Sequence, residues 1–295
     1  MSLLLCLGEL MKIIAEIGCN HKGSMTIAKA MIEKAANYCG VDIIKFQKRN
    51  NKELLTLEEY NAPHPNSENS YGDTYGLHRE SLEFTIDEHL ELKKYCEEFG
   101  VDYSCSVWDL TSAKEIISIN PKFIKIPSAK NNNYELLDYI YSNYTGEVHI
   151  SLGMSTIKDI DQIYSFIFEK QATSRTIFYH CISDYPVKPD NICLRELEKI
   201  KGKYKNLKGI GFSGHHEGNK IDNIAIVYDC LYLERHFTLN KNWKGTDHQA
   251  SLEPEEMREL VTSIKLSKKA WKYKDKEILD CELLQKNKLK RIINE

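Results

Sequence analysis

Two lysines stand in surroundings where a lysine is costly. Lys45 sits in the run IIKFQ and Lys125 in FIKIP, apolar stretches whose alternation turns the lysine toward an interior. A buried ammonium without a partner is expensive. Two of them, with hydroxyls at Ser106, Ser128, Ser151, Ser183 and Ser213, suit a compact polyanion that carries both phosphate and carboxylate. Either lysine alone is equally readable as a strand-end residue that snorkels to solvent.

Two histidines offer a second kind of chemistry. His215 and His236 close two successive apolar runs, so their rings can meet over a common bowl. That arrangement suits a divalent metal with open positions for water and substrate, as Lewis-acid activation of a carbonyl requires. The plainer reading of each histidine is a hydrogen-bonding core residue, and His21, His216 and His248 are left there. Glu16, near the end of the first apolar run, can exchange a proton with a substrate hydroxyl or pair with one of the lysines. Asp247, in the loop KGTDH, can reach a sugar hydroxyl or simply cap its loop.

Eight short runs rich in β-branched residues bring these groups together: 13–18, 41–47, 101–107, 123–128, 148–153, 176–181, 207–213 and 232–238. Helical periods lie between them, including 26–39, 86–99, 134–143, 157–169, 220–229 and 254–271, and Thr85 with Glu88 spells a capping box. Repeated βα units of this number predict an α/β fold, a single (β/α)8 barrel, because closure removes both sheet edges. In a barrel the strand ends converge on one bowl. The one long connection, 48–84, has the proline, asparagine and glycine content of turns and is expected as a lid or a surface excursion.

Composition limits the alternatives. With 42% apolar and 28% charged residues the chain reads as an ordinary globular domain, and a net charge of −3 gives no reason to expect nucleic acid or an acidic membrane as partner. The nine cysteines form no C-x-x-C pair, which fits reduced thiols and a cytoplasmic location. The apolar opening before Met11 is too short for a membrane span. The expected division is an N-terminal extension over 1–11, a barrel over 12–272 and a helical tail over 273–295. No G-x-S-x-G, Walker loop or dinucleotide fingerprint is present.

The segments IIAEIGCNHKGSMTIAKAMIEKAA, VDIIKFQ, FIKIPSAKNNNYELL, HISLGMST, YHCISDYP, GIGFSGHH and LERHFTLNKNWKGTDHQASLEP resemble, in order, the strand-end motifs of the N-acetylneuraminate (sialic acid) synthase family, from about residue 12 to 262. The resemblance implies a TIM barrel that condenses phosphoenolpyruvate with N-acetylmannosamine or a related amino sugar, giving a nine-carbon 2-keto acid and phosphate. It implies metal ligands at His215 and His236, with manganese or magnesium bound. It places phosphoenolpyruvate against Lys45, Ser106, Lys125, Ser128, Ser151, Ser183 and Ser213. Glu16, Gln47, Tyr185 and Asp247 fall where the family handles the sugar and its protons.

Three departures accompany it. Gly214 stands where the family carries aspartate, with His216 following the ligand, and Ser183 replaces an asparagine of some relatives. The sequence has no counterpart of the family's small antifreeze-like domain, which reaches across a homodimer to supply an arginine to the partner's sugar site. The basic stretch 265–291 reads as a residual linker helix or a solvated surface helix. Two other functions stay open: another phosphoenolpyruvate-dependent synthase, making an octulosonate or heptulosonate phosphate, and a silent barrel that binds sugar.

Overall fold

The computed structural model describes residues 11–290; the expected N-terminal extension, apart from Met11, lies outside them. The eight apolar runs form eight strands: β1 Lys12–Gly18, β2 Ile43–Lys48, β3 Asp102–Val107, β4 Phe123–Ile126, β5 Glu147–Ser151, β6 Thr176–His180, β7 Gly209–Gly214 and β8 Tyr232–His236. Each pairs with the next in parallel, and β8 returns to β1 to close a (β/α)8 barrel.

The two-residue period of the strands sorts side chains between two cores. Ile13, Ala15, Ile17, Ile44, Phe46 and Ile124 pack outward with the helices, whereas Ile14, Ile43, Phe123, Ile177, Tyr179 and Tyr232 form a separate plug inside the barrel. Burying each isoleucine or phenylalanine among them contributes about 1.5–3 kcal/mol. Two residues further along β1, β2, β4 and β8 the interior changes character: Glu16, Lys45, Lys125 and Glu234 follow Ile14, Ile43, Phe123 and Tyr232. The apolar plug is thus the floor of a charged layer.

Most helices start where sequence places them. Thr85 and Glu88 form the expected capping box of the helix Ile86–Glu98. The helix Ile157–Glu169 is capped by Thr156, and Ser155 before it accepts from Asn131 Nδ2. The first long helix begins at Met25 behind Ser24, widens to a π-type turn over Lys34–Cys39 and stops at Gly40, whose φ is 75°. The helix expected over 220–229 shortens to a 3₁₀ stretch, Asp222–Ile226. Asp222 turns inward to Arg235, and Asn219 and Asn223 reach the helix Pro254–Ala270.

The connection 48–84 is not structureless. It holds the short helices Asn51–Leu54, Leu57–Asn61 and Tyr75–Glu80, and it crosses the barrel mouth. Tyr71 donates to the Lys244 carbonyl, and the Gly245 N–H donates to Asn69 Oδ1 at 3.2 Å. At the other end, the helix Asp280–Leu289 buries none of its residues. No helix among the described residues is long and apolar enough to cross a membrane.

Candidate active site

The charged layer is a closed network. Lys125 Nζ lies 3.0 and 3.1 Å from the two oxygens of Glu234. Lys45 Nζ contacts Glu16 Oε2, donates to Ser106 Oγ at 2.8 Å and stands 3.7 Å from Glu234 Oε2. Ser213 Oγ donates to Glu234 Oε1 at 3.0 Å. The two lysines are not level along their strands, because Lys45 faces Ser104 while Lys125 faces Ser106. The Lys45 side chain reaches forward, and both ammoniums meet on one carboxylate.

Burial pushes the Glu16 carboxyl up to about 8, against the pull of Lys45 and with help from the Glu234 charge. Burial works the same way on Glu234, but Lys125 and Lys45 outweigh it and hold that carboxyl well below the usual range. Burial lowers Lys125; at Lys45 it is overcome by Glu16 and Glu234, and that ammonium is raised. The two carboxyls of the layer are thus pushed in opposite directions, Glu16 up and Glu234 down, which makes Glu16 the one that holds a proton more readily.

Above this layer the histidines face each other, with ring centroids 5.6 Å apart. His215 Nδ1 is 2.6 Å from the Ile182 carbonyl, so it carries the proton and leaves Nε2 as the acceptor nitrogen, 3.3 Å from Ser213 Oγ. Burial, then the neighbouring His236, lowers His215 to about 3. Burial lowers His236 as well, and its Nδ1 is a buried atom with no hydrogen-bond partner. Asp247 Oδ2 lies 4.0 Å from that atom. Two neutral imidazoles, one with an orphaned nitrogen, are donors suited to a divalent metal ion. Among the described residues no group of three or more His, Cys, Asp or Glu is arranged to hold a metal.

Every residue that the sequence assigned to phosphoenolpyruvate, sugar or metal lines one cavity of about 450 Å³. Tyr185 stacks on His215 at 4.2 Å and meets His236 edge-on. Ser128 contacts Cys181 Sγ at 3.3 Å, and Gln47 donates to Cys19 Sγ. Three other histidines have structural work: His21 stacks on Phe84, His248 bonds Thr238, and His216 sits behind Arg235. Glu234 received no role from sequence, although the alternation Tyr232, Glu234, His236 already put it on the inward face. The lid residues Arg79, His78 and His64 also line the cavity and carried no sequence signal.

Residues 31–276 match the model of the NeuB family. The chain belongs to the NeuB family. It is 37% identical to the human N-acetylneuraminate-9-phosphate synthase over 277 residues, covering 94% of this chain and 76% of that one. It is 30% identical to the N,N'-diacetyllegionaminic acid synthase of Campylobacter jejuni, covering 88% and 76%. The structure of N-acetylneuraminic acid synthetase from Leptospira borgpetersenii, solved with citrate, superposes with a TM-score of 0.78 at 26% identity, covering 96% of this chain and 93% of that one. As a NeuB-family member the chain is an enzyme of the N-acetylneuraminate synthase type, forming a C–C bond from phosphoenolpyruvate.

Proposed function

We propose that the enzyme condenses phosphoenolpyruvate with the open-chain aldehyde of N-acetylmannosamine or a related amino sugar, releasing a sialic acid-type nonulosonate and phosphate. The observation that carries this reading is the joining of Lys45 and Lys125 on Glu234 directly beneath the paired imidazoles of His215 and His236. The lysines and the hydroxyls of Ser106, Ser128, Ser151, Ser183 and Ser213 hold the phosphate and carboxylate of phosphoenolpyruvate. Gln47, Tyr185 and Asp247 orient the sugar above it.

His215 and His236 would hold a divalent ion, manganese or magnesium, which when bound polarises the aldehyde oxygen. The enol C3 attacks the aldehyde carbon, the new C–C bond forms, and the former carbonyl oxygen takes a proton. Glu16 is the candidate to move that proton, since burial raises its carboxyl and it stands in the same layer. Water adds at C2, losing a proton, and the tetrahedral product expels phosphate by C–O cleavage. The serine and lysine groups stay on the phosphate as its charge grows.

The test is consumption of phosphoenolpyruvate by the metal-loaded chain against N-acetylmannosamine, its 2,4-diacetamido analogue, mannose and arabinose 5-phosphate, with mass analysis of products. Turnover confined to amino sugars supports the reading. Turnover with arabinose 5-phosphate and none with either amino sugar would replace it with an octulosonate-type synthase.

A further inference from the structure

The floor beneath the lysine layer also acts on it. Tyr179, on β6, belongs to the apolar plug and is fully buried, and Lys125 Nζ stands over its ring, 3.6 Å from the centroid. The same ammonium donates to both oxygens of Glu234. Lys125 therefore has two unlike partners, a carboxylate and the electron-rich face of an aromatic ring. Burial lowers Lys125, so a group that favours its charged form counts for more here than it would in water. An aliphatic side chain would fill the floor as well, as Ile14, Ile43 and Ile177 do beside it. It would give the ammonium nothing.

The ring is fixed at its far end. Tyr179 Oη lies 2.9 Å from His149 Nδ1, and His149 Nε2 lies 3.3 Å from Glu147 Oε2. Burial pushes the Glu147 carboxyl up, but hydrogen bonds from His149, Lys208 and Tyr232 outweigh it and bring that carboxyl down to about 2. Burial lowers His149 to about 4, so the imidazole is neutral. A carboxylate only accepts, so His149 donates through Nε2 and accepts at Nδ1. The Tyr179 hydroxyl is then the donor. A phenol that gives its hydrogen to an imidazole gains electron density in the ring, the property to which a cation on the ring face responds. His149 stacks on Phe123 with centroids 3.7 Å apart, and a methyl group at Gly211 on β7 would lie 2.6 Å from a Tyr179 ring carbon. Imidazole and phenol are thus both wedged in place.

We propose, resting on the assignment of Lys125 to phosphoenolpyruvate, that Tyr179 is a positioning residue for the reaction: its ring, oriented by His149 and Glu147, holds the Lys125 ammonium charged and in place for the anion. Glu234 competes with phosphoenolpyruvate for that ammonium, because both are anions. The ring carries no net charge and does not repel the substrate. It stabilises the cation equally in the empty and the occupied layer.

The experiment measures the Kd of phosphoenolpyruvate for the full metal-loaded chain by titration calorimetry, in a double-mutant cycle of Tyr179→Leu and Lys125→Gln. Tyr179→Leu is expected to weaken binding by about tenfold or more, with Tyr179→Phe, which keeps a ring, restoring most of the loss. In the Lys125→Gln background the same change should cost nothing further, whereas a general disturbance of the floor would weaken both backgrounds alike. A second comparison decides if Tyr179→Leu does not fold or Lys125→Gln binds too weakly to measure. It sets the Tyr179→Phe protein against the same protein carrying a trifluorinated phenylalanine at that position, nearly equal in shape but poorer in ring electrons. Fluorination should raise Kd by about threefold or more. Equal loss in both backgrounds, or a Kd indifferent to fluorination, overturns the role of Tyr179 while leaving the lysine layer as the phosphoenolpyruvate site. An unchanged Kd in Lys125→Gln itself sinks the assignment of that lysine to phosphoenolpyruvate.

Discussion

Lys125 and Glu234 form a two-oxygen ion pair across the barrel interior, tying β4 to β8 with neither side chain open to solvent. Glu234 is the carboxyl of the layer that the two lysines hold ionised, while burial pushes Glu16 up. Glu234→Gln should therefore leave two ammoniums uncompensated, at a cost of about 3–5 kcal/mol in urea unfolding. Phosphoenolpyruvate would supply the missing charge, so its addition should raise the Tm of the variant more than that of the parent. An equal upshift in both proteins would remove the anion from this layer.

Glu16 gives the stability curve a sign. Its carboxyl titrates near 4.5 in an unfolded chain and about 8 in the fold. Between those values the native state keeps a proton that the unfolded chain has released, so stability falls as pH rises through the window. Glu16→Gln carries no such proton and should flatten the decline between about pH 4.5 and 8. Unfolding free energies measured across that range check it; identical slopes in both proteins would mean that Glu16 is ionised in the native layer.

The barrel was legible because strand residues are chosen twice, once for the outer shell and once for the interior. Runs such as those around Ile14, Ile43 and Phe123 therefore stand out against helical periods. The lysines and histidines were legible for the same reason, as polar residues placed on an inward register. Glu234 escaped because its importance is a property of three strands at once: only closure brings Lys45, Lys125 and Ser213 to it. Arg79 escaped more completely. It lies in a segment with turn chemistry, and its burial comes from Tyr75 and Trp108, contacts no local pattern announces. The length of the helix expected over 220–229 failed because Asp222, polar in the sequence, is spent on the buried guanidinium of Arg235.

His236 tests the metal. Its ring is buried and its Nδ1 has no hydrogen-bond partner, so His236→Ala removes the proposed ligand without breaking a hydrogen bond at that atom. The variant should keep a barrel circular dichroism spectrum and lose metal-dependent phosphate release. Metal content after dialysis, read beside turnover with and without chelator, separates the outcomes. Normal turnover by a metal-stripped His236→Ala protein would end the assignment of these imidazoles as ligands.

Gly153 tests the serine cradle without touching a charge. A methyl group at this position would lie 2.5 Å from Ser183 Oγ and 2.7 Å from Ser128 Oγ, with Cys181 Sγ at 3.1 Å. Those atoms are the free ends of short side chains, which can rotate, so the strain need not unfold β5 or the turn after it. The hydroxyls would leave their places and the anion would lose about one or two hydrogen bonds. Gly153→Ala should then raise the KM for phosphoenolpyruvate by roughly tenfold or more. Tm should fall by only a few degrees, about what 1 kcal/mol costs a domain of this size. A normal KM for phosphoenolpyruvate in a folded Gly153→Ala protein would take Ser128 and Ser183 out of the cradle, because the added carbon cannot coexist with their present positions.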